Sequence, residues 1–149
     1  MSQNNIILIM VLVLLVLGAF VLFVSPPQLL QAPTSKTYTI GILVRGATYT
    51  PGVAGFKAKM KELGYEEGEN VIYLIRFVDK REELPVAVSE FLKEGVDLIH
   101  TYSTPATIEA YKQTKTVPIV FGSMGDPLAS KVVESMQRPG KNVTGVSSI

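Results

Sequence analysis

Three short segments hold most of the side chains that could do chemistry. They are Arg45-Gly46-Ala47-Thr48-Tyr49-Thr50-Pro51-Gly52, Ser103-Thr104-Pro105-Ala106-Thr107 and Gly122-Ser123-Met124-Gly125-Asp126-Pro127. The first offers a cation for a carboxylate in Arg45 and a ring for stacking in Tyr49. The second offers hydroxyls and free backbone N–H groups at the start of a helix, which favours an anion. In the third, Asp126-Pro127 suits a helix cap, and Ser123 is left to face a ligand. Together they nominate Arg45, Thr48, Tyr49, Ser103, Thr104, Ala106 and Ser123 as ligand-facing. Each segment also has a plainer reading: a solvated loop with a capping Thr50 in the first, ordinary helix capping in the second, and Asp126 as a cap in the third.

Other chemistries lack their residues. Gly41-Ile42-Leu43-Val44-Arg45-Gly46 has neither the glycine spacing of a dinucleotide fingerprint nor the Gly-Lys-Ser/Thr ending of a phosphate loop. The single histidine, His100, lies inside a strand and reads as a packed core residue. No Ser–His–acid arrangement is supported, and no nucleophile–base pair appears, so a small α/β enzyme is disfavoured. There is no cysteine, which excludes disulfides and thiolate metal sites, and one histidine makes a His-based metal site a poor fit. The expectation is a chain without cofactor or metal. Fourteen Lys and Arg against thirteen Asp and Glu give a net charge of +1. They are interspersed, which argues against a nucleic-acid partner.

The elements that must position these segments are legible from hydrophobic pattern. Thr37–Val44 reads as a first strand, apolar enough in its second half for burial on both faces. Thr50-Pro51 opens a helix whose stripe is Val53, Phe56, Met60 and Leu63, with Lys57, Lys59 and Lys61 outward and Gly64 as its stop. Val71–Phe77 is a second strand. A second helix begins near Glu83-Leu84-Pro85, buries Leu84, Val88, Phe91 and Leu92, and closes at Gly95. Val96, Leu98 and Ile99 belong to a third strand. Ser103-Thr104-Pro105 offers a capping residue followed by Pro for the first turn of a third helix, with Ile108 and Tyr111 inward. Pro118–Phe121 is a fourth strand, Ser130–Met136 a short fourth helix, residues 137–141 a turn, and Asn142–Ser148 a fifth strand. The pattern from Lys36 onward is βαβαβαβαβ. It predicts a doubly wound three-layer α/β domain with a parallel sheet. In such sheets ligands bind beyond the carboxyl ends of the strands, where all three segments fall.

The amino-terminal part differs in kind. Residues 1–35 contain no charged side chain. After a short tail of residues 1–5, Ile6–Val24 is an unbroken apolar run. As a helix it would be about 28 Å long, close to a bilayer core. It reads as an uncleaved membrane anchor or as a secretory signal peptide. The run exceeds the usual signal core of about 7–15 residues, and no good small-x-small cleavage site follows, so the anchor is preferred. Leu17-Gly18-Ala19-Phe20 resembles a lipoprotein box with Phe in place of the lipidated Cys. Residues 25–36, with Pro26, Pro27 and Pro33, read as an extended linker.

Several segments, taken in order, resemble a known family. They are Tyr38–Val44, Gly55–Val71, Val96-Asp97-Leu98-Ile99, Ser103-Thr104-Pro105-Ala106, Pro118–Phe121, Asp126-Pro127 and Pro139–Ser147. They look like the ABC-transporter substrate-binding proteins of the tryptophan/tyrosine-binding type. The resemblance implies a periplasmic-binding-protein type I fold, with two α/β lobes and a small solute such as an amino acid between them. It implies permease and ATPase subunits as partners, and an extracytoplasmic domain held at the membrane through residues 6–24, or released after signal cleavage. The same module also occurs as a tethered ligand sensor. Residues 37–149 correspond to an amino-terminal lobe, incomplete at its carboxyl end. Such a lobe alone is expected to bind weakly and to expose apolar surface.

Overall fold

The computed structural model describes residues 36–148. The expected anchor and most of the linker lie outside the described residues. Five strands form one sheet in the order β2-β1-β3-β4-β5: β1 Tyr38–Arg45, β2 Val71–Val78, β3 Leu98–Tyr102, β4 Ile119–Met124 and β5 Val143–Ser147. Every pairing is parallel. Central β1 is buried from Gly41 to Val44, as its apolar sequence predicts. The helices are α1 Thr50–Glu62, α2 Leu84–Lys93 and α3 Thr104–Gln113. Among the described residues no helix is long and apolar enough to cross a membrane.

Two cores sandwich the sheet. On one side Ile40, Ile42, Val44, Val71 and Tyr102 pack with Val53, Phe56 and Met60 of α1. On the other Leu43, Ile99, Ile119, Phe121 and Val143 pack with Leu84, Val88 and Phe91 of α2 and Ala106 and Ala110 of α3. Phe91 is fully buried against the strand, and Gly41 makes that approach possible. A methyl group at Gly41 would stand 2.8 Å from the Phe91 ring.

Helix α1 ends as its sequence indicates. The N–H of Gly64 bonds to the carbonyl of Lys61, and that of Tyr65 to Met60. Gly64 takes φ 88°, a conformation that suits glycine. This reversal throws Tyr65 back toward Met60 and the core, while Leu63 is left 62% exposed. Leu63 therefore does not belong to the buried stripe. In α3 the fully buried face is Ala106, Thr107 and Ala110, with Ile108 and Tyr111 only partly covered.

The expected helix over Ser130–Met136 does not form. The Asp126 side chain accepts from the N–H of Ala129, and Ser130 N–H bonds to the Asp126 carbonyl, which completes a single turn. Lys131 then takes φ 56° and ends it. Val132 and Val133 are both buried while Met136 is 48% exposed, so a helical stripe is not what packs there. Adjacent β-branched residues weaken a helix and tolerate this irregular path.

Candidate functional site

Parallel pairing brings the carboxyl ends of all five strands to one edge. Val44 pairs with Tyr102, and Tyr102 with Ser123. The three segments are therefore neighbours at that edge, and the Ser103 N–H bonds across to the Ser123 carbonyl at 3.0 Å. Two boundaries differ from expectation. Arg45 is the last residue of β1, and Ser123 lies inside β4, which continues to Met124.

Arg45 and Ser103 stand where adjacent strands end. Arg45 Nε and Ser103 Oγ are both buried without a hydrogen-bond partner. Buried polar groups are ordinarily bonded, so an unbonded pair of them calls for an explanation. Ser103 immediately precedes α3, but its side chain makes no capping bond. Its backbone sits at φ 94°, ψ 147°. That region is nearly reserved for glycine and costs about 1–3 kcal/mol for other residues. Gly46 holds the equivalent position after β1 with φ 97°, ψ 134°. The same turn is thus built once with glycine and once with a strained serine.

The surrounding bonds are made. Thr107 Oγ1 lies 2.8 Å from Thr101 Oγ1 and donates to the Ser103 carbonyl. Thr104 Oγ1 accepts the Gly125 N–H at 3.1 Å and ties the third segment's loop to α3. The first turn of α3 leaves the N–H groups of Thr104 and Ala106 beyond the reach of helical carbonyls. The Ala106 methyl is fully buried in the core, so of that residue only the N–H is available to a ligand. Thr48 is exposed and Tyr49 half-buried in a single 3-10 turn, Ala47–Tyr49. Thr50 does not cap α1. It is the first helical residue, and its hydroxyl donates to the Ala47 carbonyl.

Beneath this edge lies an aromatic group that the sequence reading missed. Tyr49 and Tyr102 have ring centroids 5.8 Å apart and 31° between planes. His100 lies against Tyr102 edge to face at 4.7 Å and stacks on Phe56 at 4.1 Å. His100 is packed, as expected, and only 3% exposed. Burial lowers its pKa from 6.5 to about 4, so the ring is neutral near pH 7. Burial raises the Tyr102 phenol.

A cavity of about 320 Å³ lies at the opposite, amino-terminal end of the strands, lined by Lys36, Tyr38, Ile40, Met60, Tyr65, Asp97 and Leu98. Its charged groups are paired with each other: Lys36 bridges to Asp97 at 2.8 Å, and Asp97 also accepts the Thr39 N–H. At the carboxyl edge Arg45 Nε and Ser103 Oγ remain without partners, which makes that edge the candidate site.

In open parallel α/β sheets ligands bind beyond the carboxyl ends of the strands, the edge at which Arg45 and Ser103 keep unpaired donors. The chain belongs to the family described as ABC transporter substrate binding protein, whose model matches residues 39–149. It is 33% identical over 122 residues to a tyrosine-binding protein of Clostridioides difficile (strain R20291). That alignment covers 78% of this chain and 35% of the relative, so the chain spans about a third of the relative's length. Among solved structures, a conserved domain protein from Vibrio cholerae superposes with a TM-score of 0.74 at 29% identity, over 76% of this chain and 40% of that one. A ligand-free, open substrate-binding protein with adhesive properties from Clostridium difficile gives 0.71 at 28%, over 74% and 39%. A Streptococcus pneumoniae domain in complex with L-Trp gives 0.71 at 24%, over 75% and 39%, a likeness of fold. The partial coverage fits an amino-terminal lobe.

Proposed function

We propose that this chain supplies one wall of the solute site of an extracytoplasmic ABC-transporter binding protein, and that the solute is an amino acid, aromatic by preference. The observation that carries the reading is the buried, unpartnered pair of Arg45 Nε and Ser103 Oγ on adjacent strand ends. A carboxylate accepts from both, and from the open N–H groups of Thr104 and Ala106 at the positive end of α3. Thr48, Tyr49, Thr104 and Ser123 flank that point, and Tyr49 offers its ring to the rest of the solute. The name of the tyrosine-binding relative supports the aromatic class. Permease and ATPase subunits would be the transport partners, and Ile6–Val24 the membrane attachment.

The wall alone buries half of a solute, where small-molecule sites bury about 70–90%. Affinity near −4 kcal/mol, roughly millimolar, is expected for residues 36–149. The protein has no tryptophan, so the fluorescence of added L-tryptophan reports its own environment. Ser103→Gly separates binding from folding. It removes a charge-assisted hydrogen bond worth about 1.5–3 kcal/mol and should weaken L-tryptophan binding tenfold or more. It also relieves the strained backbone, so thermal stability should hold or rise by about 1 kcal/mol. Unchanged binding in a folded Ser103→Gly protein would remove Ser103 from the site.

A further inference from the structure

The aromatic group under the carboxyl edge has a construction that core packing does not require. Four rings run in sequence from the inner face of α1 to the edge: Phe56, His100, Tyr102 and Tyr49. Their successive centroid separations are 4.1, 4.7 and 5.8 Å. Tyr102 is the link between the packed interior and the edge. It is 5% exposed, while Tyr49 above it is half-buried.

Two glycines clear the space for Tyr102. A methyl group on Gly52, in the first turn of α1, would stand 2.7 Å from Tyr102 Cε1 and 3.3 Å from its hydroxyl oxygen. One on Gly122, inside β4, would stand 2.7 Å from Cε1 and 3.0 Å from His100 Nε2. Glycine within a strand weakens it and marks a close approach of something else. Here that is the Tyr102 ring, held in a slot between two elements with His100 beneath it.

We propose that Tyr102 is a positioning residue that gives the site its preference for flat, aromatic solutes by fixing the ring of Tyr49. The proposal rests on the amino-acid reading above and adds what selects the side chain. A tyrosine on a solvated turn samples several rotamers. Leaning on an immobile ring, it loses that freedom on folding, and the ligand does not have to order it. With a carboxylate held at Arg45 and Ser103, the outer face of Tyr49 is a fixed platform for a ring and of little use to a branched aliphatic chain. Arg45 and Ser103 thus define an amino acid, and Tyr102 acting through Tyr49 defines which kind. Tyr102 itself need not touch the solute.

The test is a selectivity ratio measured on the full chain in detergent micelles. L-tryptophan is titrated by its own fluorescence, and L-leucine is titrated as a competitor. Gly52→Ala is the informative variant. The position is exposed and helical, and alanine is the better helix former, so the fold is kept. The new methyl nevertheless displaces the Tyr102 ring. An aromatic pair corresponds to about twofold to tenfold in affinity. Gly52→Ala and Tyr102→Leu should each lower the tryptophan-to-leucine ratio by about fivefold, chiefly through weaker tryptophan binding. Tyr102→Phe should keep the wild-type ratio, because the ring and not the hydroxyl is used. An unchanged ratio in folded Gly52→Ala overturns the proposal, even if Tyr102→Leu fails to fold. Equal loss for both solutes also overturns it, because that marks general packing. A wild-type chain that binds neither solute overturns the amino-acid reading itself, and this inference with it.

Discussion

Ser103 and His100 carry the two residue-scale consequences. Ser103 keeps a hydroxyl at a backbone position that its counterpart, Gly46, fills at no strain. The local order Ser-Thr-Pro marks a helix start, and its plain reading is a cap. The structure shows instead that the hydroxyl is left unspent, which spacing along a chain does not reveal. His100 was legible as core because it is a lone histidine inside a strand. Its surroundings were not, since Phe56 and Gly122 reach it from other elements. The folded lobe holds His100 with a pKa of about 4, against 6.5 ordinarily. The unfolded chain therefore takes up a proton near pH 6.5 and the native one only near pH 4. Above pH 7 His100 gives stability no pH dependence. As the pH falls through this window stability drops by about 1.4 kcal/mol per pH unit, about 3 kcal/mol in all. Denaturant midpoints for wild type and His100→Phe should converge in slope above pH 7 and diverge between pH 6.5 and pH 4, with the variant nearly flat. Parallel curves through that window would show that His100 titrates normally.

At the scale of elements, the strands and the helix stops were the most readable features. Continuous apolar runs such as Gly41–Val44 mark buried parallel strands, and Gly64 and Gly95 mark reversals that depend on local backbone alone. Less readable were features set by tertiary contact. Leu63 fits the stripe of α1 by spacing, yet the reversal at Gly64 puts Tyr65 in its place. Residues 130–136 had helical content without a helical core face. The Tyr49–Tyr102 pair joins residues far apart in sequence and has no local signature. The packing of α2 on β1 yields a sharp expectation. Gly41→Ala forces the Phe91 ring to move and should cost about 1–3 kcal/mol by overpacking. Phe91→Leu alone should also destabilise by about 1–3 kcal/mol through lost burial. The double variant should be more stable than the sum of the two losses, by about 1 kcal/mol or more of coupling in urea denaturation. Strict additivity would mean that the two residues do not compete for the same space.

The whole lobe is a sheet with a proposed solute edge and incompletely covered flanks. Ile72 and Phe77 on β2 are 46% and 55% exposed, and Val146 on β5 is 69% exposed, so both outer strands carry apolar surface. The parallel topology and the neighbouring strand-end turns support the proposed solute position at the carboxyl edge. The cavity at the amino-terminal end is the competing location. An amide NMR titration of the full chain in micelles with L-tyrosine decides between them. Perturbed amides at Gly46, Tyr49, Thr104, Ala106 and Gly125, with saturation in the millimolar range, are the expected result. Perturbations centred instead on Tyr38, Tyr65 and Leu98 would place binding at the other end of the strands and contradict the account.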